Sequence, residues 1–378
     1  MSIFSRLRSP LSAALAALMG VGLITRSEDI AQGILRGLQI SGGVLIPALF
    51  PFMALSIYLI ITDGARLLSI PLRPLTRYLF RLPDEVGAVV LASLIGGYPV
   101  GAKMISTLLE EGRLDQKTAG RMMALCYGSS PSFVIVAVGA GMLLDRRAGV
   151  ALFAVQIIAS LAVGFLFSLG EPIPRAVRKI PKVKGGGSAF VSAVMAASSA
   201  MLTMCAFAVL FSGLLYMVRG SGLHLLLAGL PGVDPALAGT LIAGMFEVTS
   251  GSAAAAELGG GRAILFISLC TSWGGLSVIF QVASIFGGKG MPWKPFLLGR
   301  AAHMILAAAI SATFYRTFAF EEVAVLALPA VQPALAAGGG RSWLTALCLL
   351  AMCAMLTVGT GRKGHPQMGG KKVAGRKF

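Results

Sequence analysis

Charge is scarce in this chain. Asp, Glu, Lys and Arg make up 12% of the 378 residues, hydrophobic residues make up 56%, and the mean hydropathy is +0.83. That leaves too little polar surface to cover a water-soluble globule of this size, so lipid is the solvent of most of the exterior. Acidic residues are the scarcer sign, with 15 Asp and Glu against 32 Lys and Arg. The resulting +17 raises nucleic acid as a partner. The basic residues, however, sit in short clusters between apolar runs without an aromatic-interleaved basic face, which excludes nucleic acid and points to anionic membrane lipids. Cys126, Cys205, Cys270, Cys348 and Cys353 form no CxxC pair and read as small core residues. His224, His303 and His365 have no ligand spacing, so no metal is expected. The chain lacks an HExxH helix, an intramembrane Asp pair and a Gly-x-Ser-x-Gly turn, which argues against an enzyme. It also lacks a P-loop. No cofactor is expected, with proton or sodium coupling left open.

What is present is a series of continuous apolar runs rich in Ala, Leu and Gly, without the strand alternation of a membrane β-barrel. At roughly 20 apolar residues per crossing, spans are expected near 10–25, 42–62, 122–143, 148–170, 189–218, 264–286, 293–316 and 343–358. Arg6 and Arg8 precede the first run, which lacks a cleavage site and reads as a retained anchor. Two further apolar stretches, 85–111 and 235–258, are interrupted midway by glycines and read as re-entrant hairpins. The fold class is therefore an all-α polytopic membrane protein.

Positive residues orient it. Arg175, Arg178, Lys179, Lys182 and Lys184 mark one cytoplasmic loop, and Arg362, Lys363, Lys371, Lys372, Arg376 and Lys377 mark a cytoplasmic tail. Lys289 and Lys294 then also lie inside, whereas Arg146 and Arg147 are exceptions that fall outside. Under this parity the two hairpins enter from opposite sides, and segment 89–97 (VVLASLIGG) resembles 236–244 (ALAGTLIAG). The expected organisation is an anchor and amphipathic lead-in over 1–40, a first repeat over 41–170 and a basic linker over 171–188. An inverted second repeat over 189–316 follows, then an external loop, a last span and a basic tail over 317–378. Inverted repeats with broken helices are the construction of secondary transporters.

The sharpest motif is 96–103 (GGYPVGAK), where glycines free the backbone and Pro99 suits the start of a new helix. Amides at such a break suit an anionic or polar solute, with Lys103 adding a charge. Lys103 has a second reading, snorkelling or pairing with Glu110 or Glu111. The counterpart is 244–252 (GMFEVTSGS), whose Glu247 takes a proton, holds a cation or pairs with Lys103, or else only holds the hairpin tip by hydrogen bonds. Thr249 and Ser250 flank it. Polar interruptions follow each hairpin, at 126–133 (CYGSSPSF) and 271–277 (TSWGGLS). Ser129, Ser130, Ser272 and the following Gln281 are solute candidates, with close helix packing as the competing role for the serines.

The Gly-Tyr-Pro-x-Gly-Ala-Lys run, the Ser-Ser-Pro break about 30 residues later and the Glu-x-x-x-Gly hairpin together resemble the YlbJ-type sporulation integral membrane proteins of the nucleoside-recognition or gate-domain superfamily. The resemblance covers roughly 35–315 and implies a fold related to nucleoside carriers, placed in the membrane around the forespore, with members implicated in passing dipicolinic acid. It assigns Gly97, Tyr98, Pro99, Gly101 and Lys103 to the first hairpin tip and Glu247, Thr249 and Gly251 to the second. The chain departs from its relatives at 127–131, where they tend to carry asparagine; this sequence has none. The expected function is a permease for a small polar or anionic solute such as dipicolinate. The alternatives are a non-transporting scaffold or assembly factor in spore formation, or a nucleoside-type transporter. Oligomerisation and partner subunits stay open.

Overall fold

The computed structural model describes residues 17, 19–62, 70–83, 86–172, 187–286 and 290–317, all in helices, turns and short connections, with no strand among them. The chain divides into two compact units, Met1–Val331 and Gln332–Phe378, and the second lies outside the described residues. So does the expected span 343–358, and of the one near 10–25 only residues 17 and 19–25 are described.

Helix α1 (Ser27–Ile40) is amphipathic: Ile30, Gly33, Gly37 and Ile40 recur at helical spacing and are buried. It packs on α8 (Gly187–Gly220), where Gly33 and Gly37 let the two backbones approach closely, as small residues do in lipid. A π-helical turn, Ser41–Leu45, joins α1 to α2 (Ile46–Ile61), and the pair is bent by 57°. Next come α3 (Gly87–Gly96), α4 (Tyr98–Glu110), α5 (Gln116–Leu125), the π-helical α6 (Ser132–Met142) and α7 (Arg146–Leu166). After α8 follow α9 (Pro235–Phe246), α10 (Val248–Ala256), α11 (Gly260–Trp273), α12 (Gly275–Phe286) and α13 (Trp293–Thr317).

Aspartates start three of these helices. Asp115, Asp145 and Asp234 accept from Thr118, Arg147 and Leu237 backbone N–H groups at 2.8, 2.7 and 2.7 Å, satisfying donors that a helix leaves unpaired. Apolar side chains cover the outside as well as the core: Ile305 and Leu298 on α13 are 69% and 64% exposed, Val191 and Phe190 on α8 60% and 59%. Water would penalise such a surface and hydrocarbon does not.

Among the described residues four helical stretches are long and apolar enough to cross a membrane, or five if the bent α1–α2 pair counts as one. They are α7, α8, α11 with α12, and α13. The expected spans 148–170, 189–218 and 293–316 fall on α7, α8 and α13. The stretch 122–143 is not one helix, because α5 ends at Leu125 and α6 begins only at Ser132. Between them Pro131 brings no N–H to continue the ladder, and residues 127–130 run without helical structure. The expected span 264–286 falls on α11 with α12, one crossing interrupted at Gly274 and Gly275 with φ +85° and +79°.

Candidate functional site

The two glycine-interrupted stretches each form a pair of short helices in contact, α3 with α4 and α9 with α10. The first pair turns at Gly97, whose φ of +76° is left-handed and open to glycine at no steric cost. The second turns at Glu247, in extended backbone (φ −150°, ψ 129°). Its two arms touch through glycine: a Cβ on Gly251 would lie 2.3 Å from Gly244 Cα.

Both turns open onto one cavity of about 40 Å³. Gly96, Gly97, Tyr98 and Pro99 line it from the first turn, and Glu247, Val248 and Thr249 from the second. Ser130 and Phe133 contribute from the α5–α6 break, Val278 and Gln281 from α12, and aliphatic side chains of the α1–α2 bend and α8 close the rest. At 3% exposure Glu247 is held inside, and both carboxylate oxygens are occupied. Oε1 accepts from Thr249 N–H at 2.8 Å and Oε2 from Ser250 N–H at 2.6 Å, so the side chain caps α10. The start of α4 has no side-chain cap. The Thr249 hydroxyl is fully buried beside the Glu247 carboxylate.

The candidates from sequence thus separate. Gly97, Tyr98, Pro99, Ser130, Glu247, Thr249 and Gln281 come together at the cavity. Ser129 is buried one layer behind, where the Tyr98 hydroxyl hydrogen-bonds it and also donates to the Thr271 carbonyl. Ser272 is buried against the Gln156 amide at 3.2 Å, away from the cavity. Gly101 packs on Cys126, leaving no room for a side chain. Ser250 contributes its backbone N–H to Glu247, and Lys103 is exposed on α4; neither lines the cavity.

One buried cation escaped the sequence reading. Arg300 on α13 has no exposed surface and stacks over Tyr127 at 4.4 Å from the ring centre. Its Nη1 donates to the Tyr127 and Ser272 carbonyls at 2.6 and 3.4 Å, and its Nη2 to the Ala124 carbonyl at 2.7 Å. These carbonyls end or follow α5 and lie in the last turn of α11, so one guanidinium serves the negative ends of two broken helices. Beside it the His303 ring lies 3.1 Å from Ser160 Oγ, and Gln156 joins Ser268 and Ser272. A lone arginine inside an apolar run was the available signal, since such a charge is costly unless it serves a purpose.

At the loops, carboxyls are held below their ordinary range. For Asp234 the chief cause is the Leu237 N–H, followed by Arg262, whose guanidinium lies 2.7 Å away. For Glu171 the chief cause is Lys117 at 2.8 Å.

A chain whose described residues form long apolar helices without strands, with aliphatic side chains turned outward and polar breaks buried inside, is a multi-pass integral membrane protein. It is similar to the sporulation integral membrane protein YlbJ of Bacillus subtilis (strain 168), with 27% identity over 337 residues, 80% of this chain and 82% of the relative. That similarity supports a YlbJ-type family assignment. No protein-family model matches the chain, and no solved structure matches it significantly.

Proposed function

We propose that the protein is a permease for a small polar or anionic solute, with dipicolinic acid as the first candidate and the membrane around the forespore as its place. The observation that carries this reading is the convergence of two helix breaks on one cavity lined by an uncapped helix start and a buried hydroxyl. Helix N-termini and hydroxyls are donors suited to carboxylates, and dipicolinate carries two. The order of elements in α2–α7 recurs in α8–α13, as a leading helix, a broken pair, a second broken run and a final span. That order supports two inverted repeats, each with a re-entrant hairpin, moving against one another.

In this conformation the cavity has room for a few water molecules and not for an aromatic diacid. On this reading the hairpins part to load the solute. A nucleoside-type solute draws on the same cavity through the Gln281 amide, which makes no hydrogen bond among the described residues. The non-transporting scaffold is favoured by a different observation, that Glu247 is already satisfied by two backbone amides. Equilibrium binding of labelled dipicolinate to the purified protein, with uridine as competitor, tests the proposal. Saturable binding that uridine leaves intact supports the anion permease, binding displaced by uridine supports the nucleoside reading, and binding of neither supports the scaffold.

A further inference from the structure

A second and larger cleft, about 580 Å³, opens at the end of the molecule where α7 stops and α13 begins. Three basic side chains, Lys117, Arg121 and Lys294, line it against one carboxylate, Glu171, while Phe167 and Trp293 supply apolar walls. Their roles differ. Arg121 is spent on structure: its Nε donates to the Phe167 carbonyl at 3.0 Å and its Nη2 to the Phe80 carbonyl. Lys117 balances Glu171 at 2.8 Å. Lys294 is exposed and has no ion pair or hydrogen bond among the described residues. Trp293 beside it is 44% exposed.

The position of the cleft limits what fills it. Both α7 and α13 are long and apolar enough to cross a membrane, so the cleft at their ends lies at headgroup depth. The basic run from Arg175 to Lys184 follows directly in the sequence and marks this end as cytoplasmic, where the leaflet is anionic. A tryptophan and an exposed lysine at that depth are the usual pair of interfacial anchors. We infer that this cleft is a binding site for the phosphate of an anionic phospholipid, with Lys294 as the primary contact, Lys117 sharing its charge with Glu171, and Trp293 against the glycerol and upper acyl region. The site is independent of the solute cavity.

Native mass spectrometry of the purified full chain, exposed to phosphatidylglycerol or phosphatidylcholine, tests it. The expected result is retention of phosphatidylglycerol in preference to phosphatidylcholine, reduced at least about fivefold by Lys294→Glu, the order expected for one basic residue at an anionic surface. The control is Arg146→Glu at the other end of α7, which should leave retention unchanged. Equal retention of the two lipids, or a loss shared by both variants, overturns the assignment. Displacement of phosphatidylglycerol by millimolar inorganic phosphate overturns the lipid source and leaves a free-anion site.

Discussion

Replacing Glu247 by alanine removes the acceptor of two backbone amides in a buried place. Thr249 and Ser250 donate to its two oxygens at 2.8 and 2.6 Å, and the side chain is 3% exposed. An orphaned buried amide costs about 1–3 kcal/mol, so losing both costs about 2–6 kcal/mol, more than the usual loss of a helix cap at a wet surface. Glu247→Gln keeps one acceptor oxygen and turns an amino group toward the other amide, so about half that loss remains. The measurement is equilibrium unfolding of wild type, Glu247→Gln and Glu247→Ala in the same micelle, followed by helical circular dichroism. A graded loss in the order wild type, Gln, Ala is the expected outcome. Wild-type stability in Glu247→Ala would refute the capping argument, because no other described side chain takes these two amides.

Arg300 gives a larger effect. Arg300→Leu leaves the Ala124, Tyr127 and Ser272 carbonyls without their donor, and with charged hydrogen bonds worth about 1.5–3 kcal/mol each the variant should not accumulate folded; Arg300→Lys should fold with a clear loss on a denaturant titration. Gly251→Val places a side chain where Gly244 Cα lies 2.3 Å from the Cβ position, so a loss of unfolding free energy of about 1–3 kcal/mol in a denaturant titration is expected from forced separation of α9 and α10. Acid should loosen the loop ends. The Asp115, Asp234 and Glu171 carboxyls are lowered in the folded chain, so their contribution is present above the ordinary carboxylate range near pH 4 and lost as pH falls below it. Asp234→Asn keeps the cap on α9 while flattening part of that dependence in a pH series of melting curves.

Much of the helical layout was legible because glycine and proline punctuate it. The runs 96–103 and 244–252 announced breaks, and helices do end at Gly96 and Phe246 and restart at Tyr98 and Val248. Span placement was less legible. The stretch 122–143 is as apolar as its neighbours, yet Gly128 to Pro131 divides it, since two serines and a proline weigh little against many aliphatic residues in an average. Which side of a helix faces inward was least legible. In lipid the outside is as apolar as the core, so the amphipathic stripe that orients a soluble helix is missing. The motif alone leaves Lys103 two readings, toward the solute or snorkelling outward, and it lies on the exposed side of α4. Arg300 stood unremarked within an apolar run and proved to be the cation that ties α5 to α11.

The most direct measurement is uptake of labelled dipicolinate into proteoliposomes holding wild type, a Thr249→Val/Gln281→Leu double variant, or Lys103→Ala, beside empty liposomes. Saturable uptake that the double variant loses and Lys103→Ala keeps is the predicted result. Uptake unchanged in the double variant, or absent from correctly inserted wild type, would contradict a permease whose solute passes between the two helix breaks.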